Sequence, residues 1–364
     1  MQIADMHCDT IMKLWYAELR GEPASITGDG EFDRSLHINL NKLETGGYIL
    51  QNFALFTNQS LPAAFDGRQN LSNYFGVSNE EEYRRLDPWI QAKEMIRVFK
   101  REMEENSSRI RQVFRYKDIE ENQREGRISA VLTTEEGCII GEDLTRLDEL
   151  YKAGVRMMTV TWNFANQLGV PNRPDPEFKK DFSKFFAFKP DPDSGLTDFG
   201  KEAAAAMAEK GILVDVSHLS DGGFWDVAEI VHGPFVASHS NARAVTGVHR
   251  NLTDDMIRTI AEHGGVIGLN FCPAFTSMGS SADQCLTNAE TLARHLKHML
   301  NVGGREILAL GTDFDGISPA GLEIHDASEM QMLADGLRKE GIEESILEGL
   351  FYKNLLRLYR EVLK

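Results

Sequence analysis

Apolar positions along this chain fall into short, near-continuous runs, separated by stretches in which they recur every three or four residues. The runs are 2–8, 47–57, 128–135, 155–162, 212–218, 234–239, 265–271 and 306–313. Several lack the alternation of a half-exposed strand and read as parallel strands covered on both faces. Between them lie helical patterns at 87–112, 141–153, 198–210, 221–232, 253–263, 283–302, 326–340 and 343–362. The first opens on Asp87-Pro88, a good helix start. Residues 283–302 place Leu286, Ala289, Leu292, Ala293, Leu296, Met299 and Leu300 on one stripe, with Gly303 at the stop. Strand and helix alternating in this way predict a parallel α/β fold. A (β/α)8 TIM-type barrel with insertions is its simplest closed form, and a doubly wound open sheet is the alternative, since periodicity does not show closure.

Two segments depart from the alternation. Residues 19–45 are polar and glycine-bearing and read as a crossing segment or short hairpin. Residues 169–197 combine five prolines with Phe182, Phe185, Phe186 and Phe188, and a loop of that length is expected to act as a lid or binding loop. No repeat, low-complexity tract or linker divides the chain, so residues 1–364 are expected to form one domain.

Composition narrows the function. Of the 364 residues 42% are apolar and 26% charged, enough for a large core, which excludes disorder as the dominant state. The net charge of −17 repels phosphate backbones and anionic lipid, so neither nucleic acid nor membrane is an expected partner. Cys8, Cys138, Cys272 and Cys285 are far apart, with no CxxC pair; they suit a reducing compartment. Asp5, His7 and Asp9 stand where a signal peptide needs its apolar run, and 264–282, the longest uncharged stretch, is broken by Asn270 and Pro273. A cytoplasmic enzyme is the expectation.

Ligand-type residues gather at the C-terminal ends of the runs. His7 and Asp9 end the first, Glu135 and Glu136 the third, His218 the fifth, His239 the sixth, and Asp313 and Asp315 the eighth. In a barrel these ends share one face, where active sites of that fold are built. Singly, each has a plainer reading: a capping Asp, turn chemistry around Glu136-Gly137, a satisfied core histidine. Together they form the nitrogen and oxygen donor set of Zn2+, and a bridging carboxylate makes two ions plausible. Alternation sends only one of Glu135 and Glu136 inward, and puts His7 and Asp9 on one side with Cys8 turned away. His37, His232, His263, His295, His298 and His325 have weaker claims; His295 and His298 flank the helical stripe and are expected on its surface.

The segments DMHCDT, EEGC, VDVSH, ASHSNARAVTGVHRNLTDD and GTDFDG resemble the membrane (renal) dipeptidase family, zinc peptidases of the amidohydrolase superfamily, in order and spacing from residue 3 to about 358. The resemblance implies a barrel that hydrolyses dipeptides with two Zn2+ ions per subunit, in a homodimer. It places His7 and Asp9 on the first ion, Glu136 as the bridge, and His218 with His239 on the second. Arg250 would grip the substrate carboxylate, and Asp313 would manage the proton of the attacking water. Where animal members carry a histidine that touches the substrate carbonyl, this chain has Trp162, with Asn163 or Asn166 as substitute donors near the substrate. Animal relatives are secreted and lipid-anchored; no such signals are seen here. The alternatives are a related amidohydrolase acting on N-acyl amino acids or lactones, and a zinc-binding homologue without catalysis.

Overall fold

The computed structural model describes residues 1–57, 87–173, 177, 182–186, 188 and 193–364. Its strands are β1 (Ile3–Asp5), β2 (Tyr48–Phe56), β3 (Ile110–Gln112), β4 (Ile128–Glu135), β5 (Val155–Thr159), β6 (Leu213–Asp215), β7 (Ile267–Leu269) and β8 (Leu308–Leu310). All pair in parallel, in the order β6-β5-β4-β2-β1-β8-β7, with β3 beside β4. Single bridges from Val236 to Asp215 and from Ala237 to Ile267 join the two ends of that row. The result is a curled parallel sheet closed as a TIM-type barrel with insertions.

Two departures from the sequence reading have local causes. Residues 234–239 do not form a regular strand: Val236 bonds only to 214 and 216 on one side, and Ala237 to 266 and 268 on the other. Space decides this, because a Cβ at either Gly268 or Gly311 would collide with the Ser238 carbonyl, so three backbones meet closely there. The pattern at 87–112 divides into a helix, Pro88–Glu105, and β3. The Asn106-Ser107-Ser108 run stops the helix, since these side chains compete with helical hydrogen bonding, and the Asn106 amide bonds back to the Glu102 carbonyl.

The barrel interior changes character along its axis. Ala4, Leu50, Val131, Met157, Leu213, Val236, Val266 and Ala309, one from each stave, pack with Leu355, Leu358 and Tyr359 of the closing helix Asn354–Val362. Two or four residues further along the same staves, alternation presents Glu135, Asp215 and Ser238 on that face. One end is therefore plugged by hydrocarbon and the other lined by polar groups. Outside, a continuous apolar cluster joins sheet to helices, with Phe53, Phe99, Phe271 and Phe351 fully buried.

Of the 169–197 segment, residues 174–176, 178–181, 187 and 189–192 lie outside the described residues. Phe182–Phe186 forms a short 3-10 turn, and Phe185 stacks parallel to Phe275, centroids 6.2 Å apart. Among the described residues no helix is long and apolar enough to cross a membrane.

Candidate metal centre and catalytic pocket

Each strand end delivers its polar residue to the barrel mouth. His7 follows β1, and Asp9 stands at the start of helix Thr10–Leu19 without using its carboxylate as a cap. Cys8 turns the other way, its thiol on the Asn52 carbonyl. Glu135 is the last residue of β4. His218 and Asp313 hold left-handed backbone, at φ 70° and 63°, a conformation that costs a non-glycine residue about 1–3 kcal/mol and persists where the surroundings impose it. Gly316 closes the GTDFDG turn because a Cβ there would collide with the carboxylates of Asp9 and Asp313.

Glu135 occupies the middle. Its Oε2 lies 3.0 Å from His7 Nε2, and its Oε1 lies 3.0 Å from His218 Nε2 and 3.7 Å from His239 Nε2. On the first side, His7 Nε2 is also 3.6 Å from Asp9 Oδ2 and 4.0 Å from Asp313 Oδ1. All these side chains are buried or nearly so. Glu135 therefore faces His7 with one oxygen and His218 and His239 with the other. The His7 and His239 rings stack with centroids 4.0 Å apart, so His7 belongs both to a His7–Asp9–Asp313 group and to a His7–Glu135–His239 group.

Glu136, which the resemblance placed as the bridge, is elsewhere. Its Oε2 accepts from the Trp162 backbone N–H at 3.0 Å and the Asn166 amide at 2.8 Å, inside the wall. Glu135 is the last residue of β4 and turns into the mouth, while Glu136, the first residue past the strand, turns into the wall. Asn166 serves that wall, and Asn163, though it lines the pocket, directs its Oδ1 to His218 Nδ1 at 2.9 Å. Asp315 is also turned away: it accepts from Thr10, from Lys13 and from the backbone of His37 and Ile38.

The groups behind the cluster fix its tautomers. Ser238 donates its hydroxyl to Asp215 at 2.6 Å, so the Oγ lone pair receives His239 Nδ1–H at 2.7 Å. Asn163 does the same for His218. Both rings then present bare Nε2 atoms, and these face each other at 3.0 Å. Burial, with the Arg250 charge, lowers His218 to about 4, and burial with the His7 charge holds His239 well below the usual imidazole value. Burial also opposes charge on His7 and Glu135, but their mutual attraction outweighs it: His7 is held well above, and Glu135 well below, the ordinary value. Burial raises Asp313 to about 7.

Two neutral lone pairs pointing at each other repel unless a positive charge lies between them. His7 Nδ1 and Asp9 Oδ1 are likewise buried without a hydrogen-bond partner among the described residues, a cost of about 1–3 kcal/mol each unless an ion satisfies them. An all nitrogen and oxygen donor set of this kind fits borderline divalent cations such as Zn2+. The residues therefore fit a metal centre.

A cavity of about 400 Å³ opens onto this cluster, bounded by Asp9, Glu135, His218 and Asp313 at its floor and by Phe56, Trp162 and Phe275 on its sides. Trp162 packs edge-on to Phe56 at 4.9 Å. Arg250 is buried beneath Phe275, its guanidinium 5.3 Å from the ring centre. It donates to the His239 carbonyl at 3.1 Å and, at 3.4 Å, to Ser240, while its Nε has no hydrogen-bond partner among the described residues. Asn270 holds Asp313 Oδ2 at 3.1 Å.

A model of the membrane dipeptidase family, peptidase family M19, matches residues 1–364. The chain belongs to that family. It is accordingly a hydrolase of a metallo-dipeptidase family. A protein of the pqqA 5′ region of Klebsiella pneumoniae is 33% identical over 271 residues, covering 74% of this chain and 95% of its own. Dipeptidase 3 of Mus musculus is 30% identical over 238 residues, 65% of this chain and 45% of that one. Among solved structures, a metallopeptidase from Rhodobacter sphaeroides, liganded with a phosphinate mimic of L-Ala-D-Ala, superimposes with a TM-score of 0.80 at 25% identity, covering 100% of this chain and 99% of that one.

Asp215, Ser238 and Asn270 escaped the sequence reading. Each is a polar residue inside an apolar run, and that signal was there to be followed. His295, expected on a helix surface, is instead fully buried: Nδ1 accepts from the Ala242 N–H at 3.1 Å and Nε2 faces the Thr276 carbonyl at 3.1 Å.

Proposed function

We propose that this membrane dipeptidase family member hydrolyses the peptide bond of dipeptides, those with a C-terminal D-residue included, using two Zn2+ ions. His7 and Asp9 would hold one ion and His218 and His239 the other, with Glu135 available to both. The single observation that carries this reading is Glu135, whose two oxygens face buried donors on both sides, His7 on one and His218 with His239 on the other. When bound, such ions polarise the substrate carbonyl and make water nucleophilic at neutral pH.

The chain's own residues supply the rest. Arg250, buried with an unmatched Nε, receives the substrate's C-terminal carboxylate; a planar guanidinium suits that pairing. Asp313 is fixed through Oδ2 by Asn270, leaving Oδ1 on the His7 side to take a proton from water and return it to the departing amine. Trp162 and Asn163 flank the substrate, with Asn163 acting mainly by orienting His218. The bound R. sphaeroides relative supports a D-residue on the carboxylate side.

The 169–197 loop is read as a lid or binding loop within a single barrel domain, a reading supported by Phe185, which stacks parallel to the pocket-lining Phe275 at 6.2 Å. We carry the homodimer as part of the same reading. The test is hydrolysis of L-Xaa-D-Xaa and L-Xaa-L-Xaa dipeptides, with and without chelator, beside their N-acetylated forms. Chelator-sensitive cleavage restricted to free dipeptides is expected. Equal cleavage of N-acyl amino acids would favour the broader amidohydrolase alternative, and metal binding without turnover would favour a homologue that has lost catalysis.

A further inference from the structure

The cavity's side walls differ chemically from its floor. Apart from Asp9, Glu135, His218 and Asp313, which belong to the ligand cluster, the only charged residue among the described lining residues is Lys13. Its ammonium lies 3.1 Å from Asp315, a carboxylate that is itself buried, so Lys13 is already neutralised. No charge in the described walls is left to pair with an acidic or basic substrate side chain. The walls are instead thioether, aliphatic and aromatic: Met12 and Tyr16 one turn apart on helix Thr10–Leu19, the Phe56–Trp162 pair, and Ile317 just past the GTDFDG turn.

Position distinguishes the two substrate residues. Arg250 lies against Phe275, and Cys272 beside it, so the carboxylate of a dipeptide anchors on that side. The N-terminal residue then extends from the metal floor towards Met12, Phe56, Trp162 and Ile317. At about 400 Å³ the space is near the small end of ligand sites, which span roughly 300–1,000 Å³. It suits one large side chain and leaves little room for a longer peptide.

We propose that this wall selects dipeptides whose N-terminal residue is bulky and apolar, with Met12, Phe56, Trp162 and Ile317 as the determinants. The inference rests on the dipeptidase reading above and adds the substrate class. Burying a charged side chain against these groups leaves it desolvated and unpaired, while an apolar one gains from leaving water.

The experiment measures kcat and KM of the metal-loaded enzyme on two series, Xaa-Gly and Xaa-D-Ala, with Xaa being Gly, Leu, Phe, Asp and Lys. Leu and Phe are expected to exceed Gly by roughly 10–200-fold in kcat/KM, the scale on which apolar pockets discriminate, with Asp and Lys below Gly. Phe56→Ala should compress the Phe-to-Gly ratio through KM. Ile317→Asp should raise Lys relative to Leu; the readout is a ratio, so it survives a general loss of activity. A flat series, or Asp or Lys equal to Leu, overturns the inference while leaving dipeptidase activity standing. No cleavage of any dipeptide overturns both.

Discussion

Two buried histidine sites in this molecule look alike by burial and differ in what their nitrogens face. His295, on the buried face of helix Ala289–Gly303, has Nδ1 on a backbone N–H and Nε2 towards a backbone carbonyl. It is a packed structural group, and burial lowers its pKa to about 4. His239, at the barrel mouth, has Nδ1 tied to Ser238, yet its Nε2 points at another bare Nε2 and at a carboxylate. Burial therefore does not mark a site. What marks it is unmet lone pairs converging on one point, which is costly unless a cation is there to receive them.

Several measurements would break or sharpen that contrast. The largest effect is expected at Asp313, the residue proposed to handle the proton: Asp313→Asn should lower kcat by about 10²–10⁴-fold while metal content holds. Near-normal turnover would remove Asp313 from the mechanism.

Next comes His295. Its folded pKa, about 4, lies below the 6.5 of a free imidazole. The folded state thus binds fewer protons, and the stability that His295 confers is present above pH 6.5 and lost as pH falls towards 4. The loss approaches about 3 kcal/mol, at 1.36 kcal/mol per pKa unit. Denaturant titrations of metal-free protein at pH 7 and 4.5 should show that dependence, and His295→Gln should reduce it. An unchanged pH profile in the variant would contradict the structural role.

The smallest effect is behind His239. Ser238→Ala should weaken metal affinity about 10–100-fold, as loss of an orienting partner does. The same competition titration on His295→Gln should show no change. If both variants weakened metal binding alike, the distinction between the two histidine sites would fail.

Much of this was visible in the linear chain. The barrel was legible because its staves are near-continuous apolar runs, and the mouth was legible because His7, Asp9, His218, His239 and Asp313 sit at their ends. What escaped depends on single-residue geometry. Glu135 and Glu136 are adjacent and chemically equivalent, so the motif alone does not say which of them turns into the mouth. Residues 234–239 have a strand's composition, but the close approach of Gly268 and Gly311 leaves room for only two bridging residues. His295 was misplaced because a helical stripe counted from apolar residues omits a histidine that finds backbone partners inside. Asp215 serves Ser238 and Thr159 below the mouth, a supporting role that no spacing rule reports.

The most direct test of the account is metal stoichiometry by elemental analysis on wild type, Glu135→Gln and Glu136→Gln purified identically. The account predicts about two Zn2+ per wild-type chain, a clear fall in Glu135→Gln, and retention in Glu136→Gln. Retention in Glu135→Gln together with loss in Glu136→Gln would contradict it.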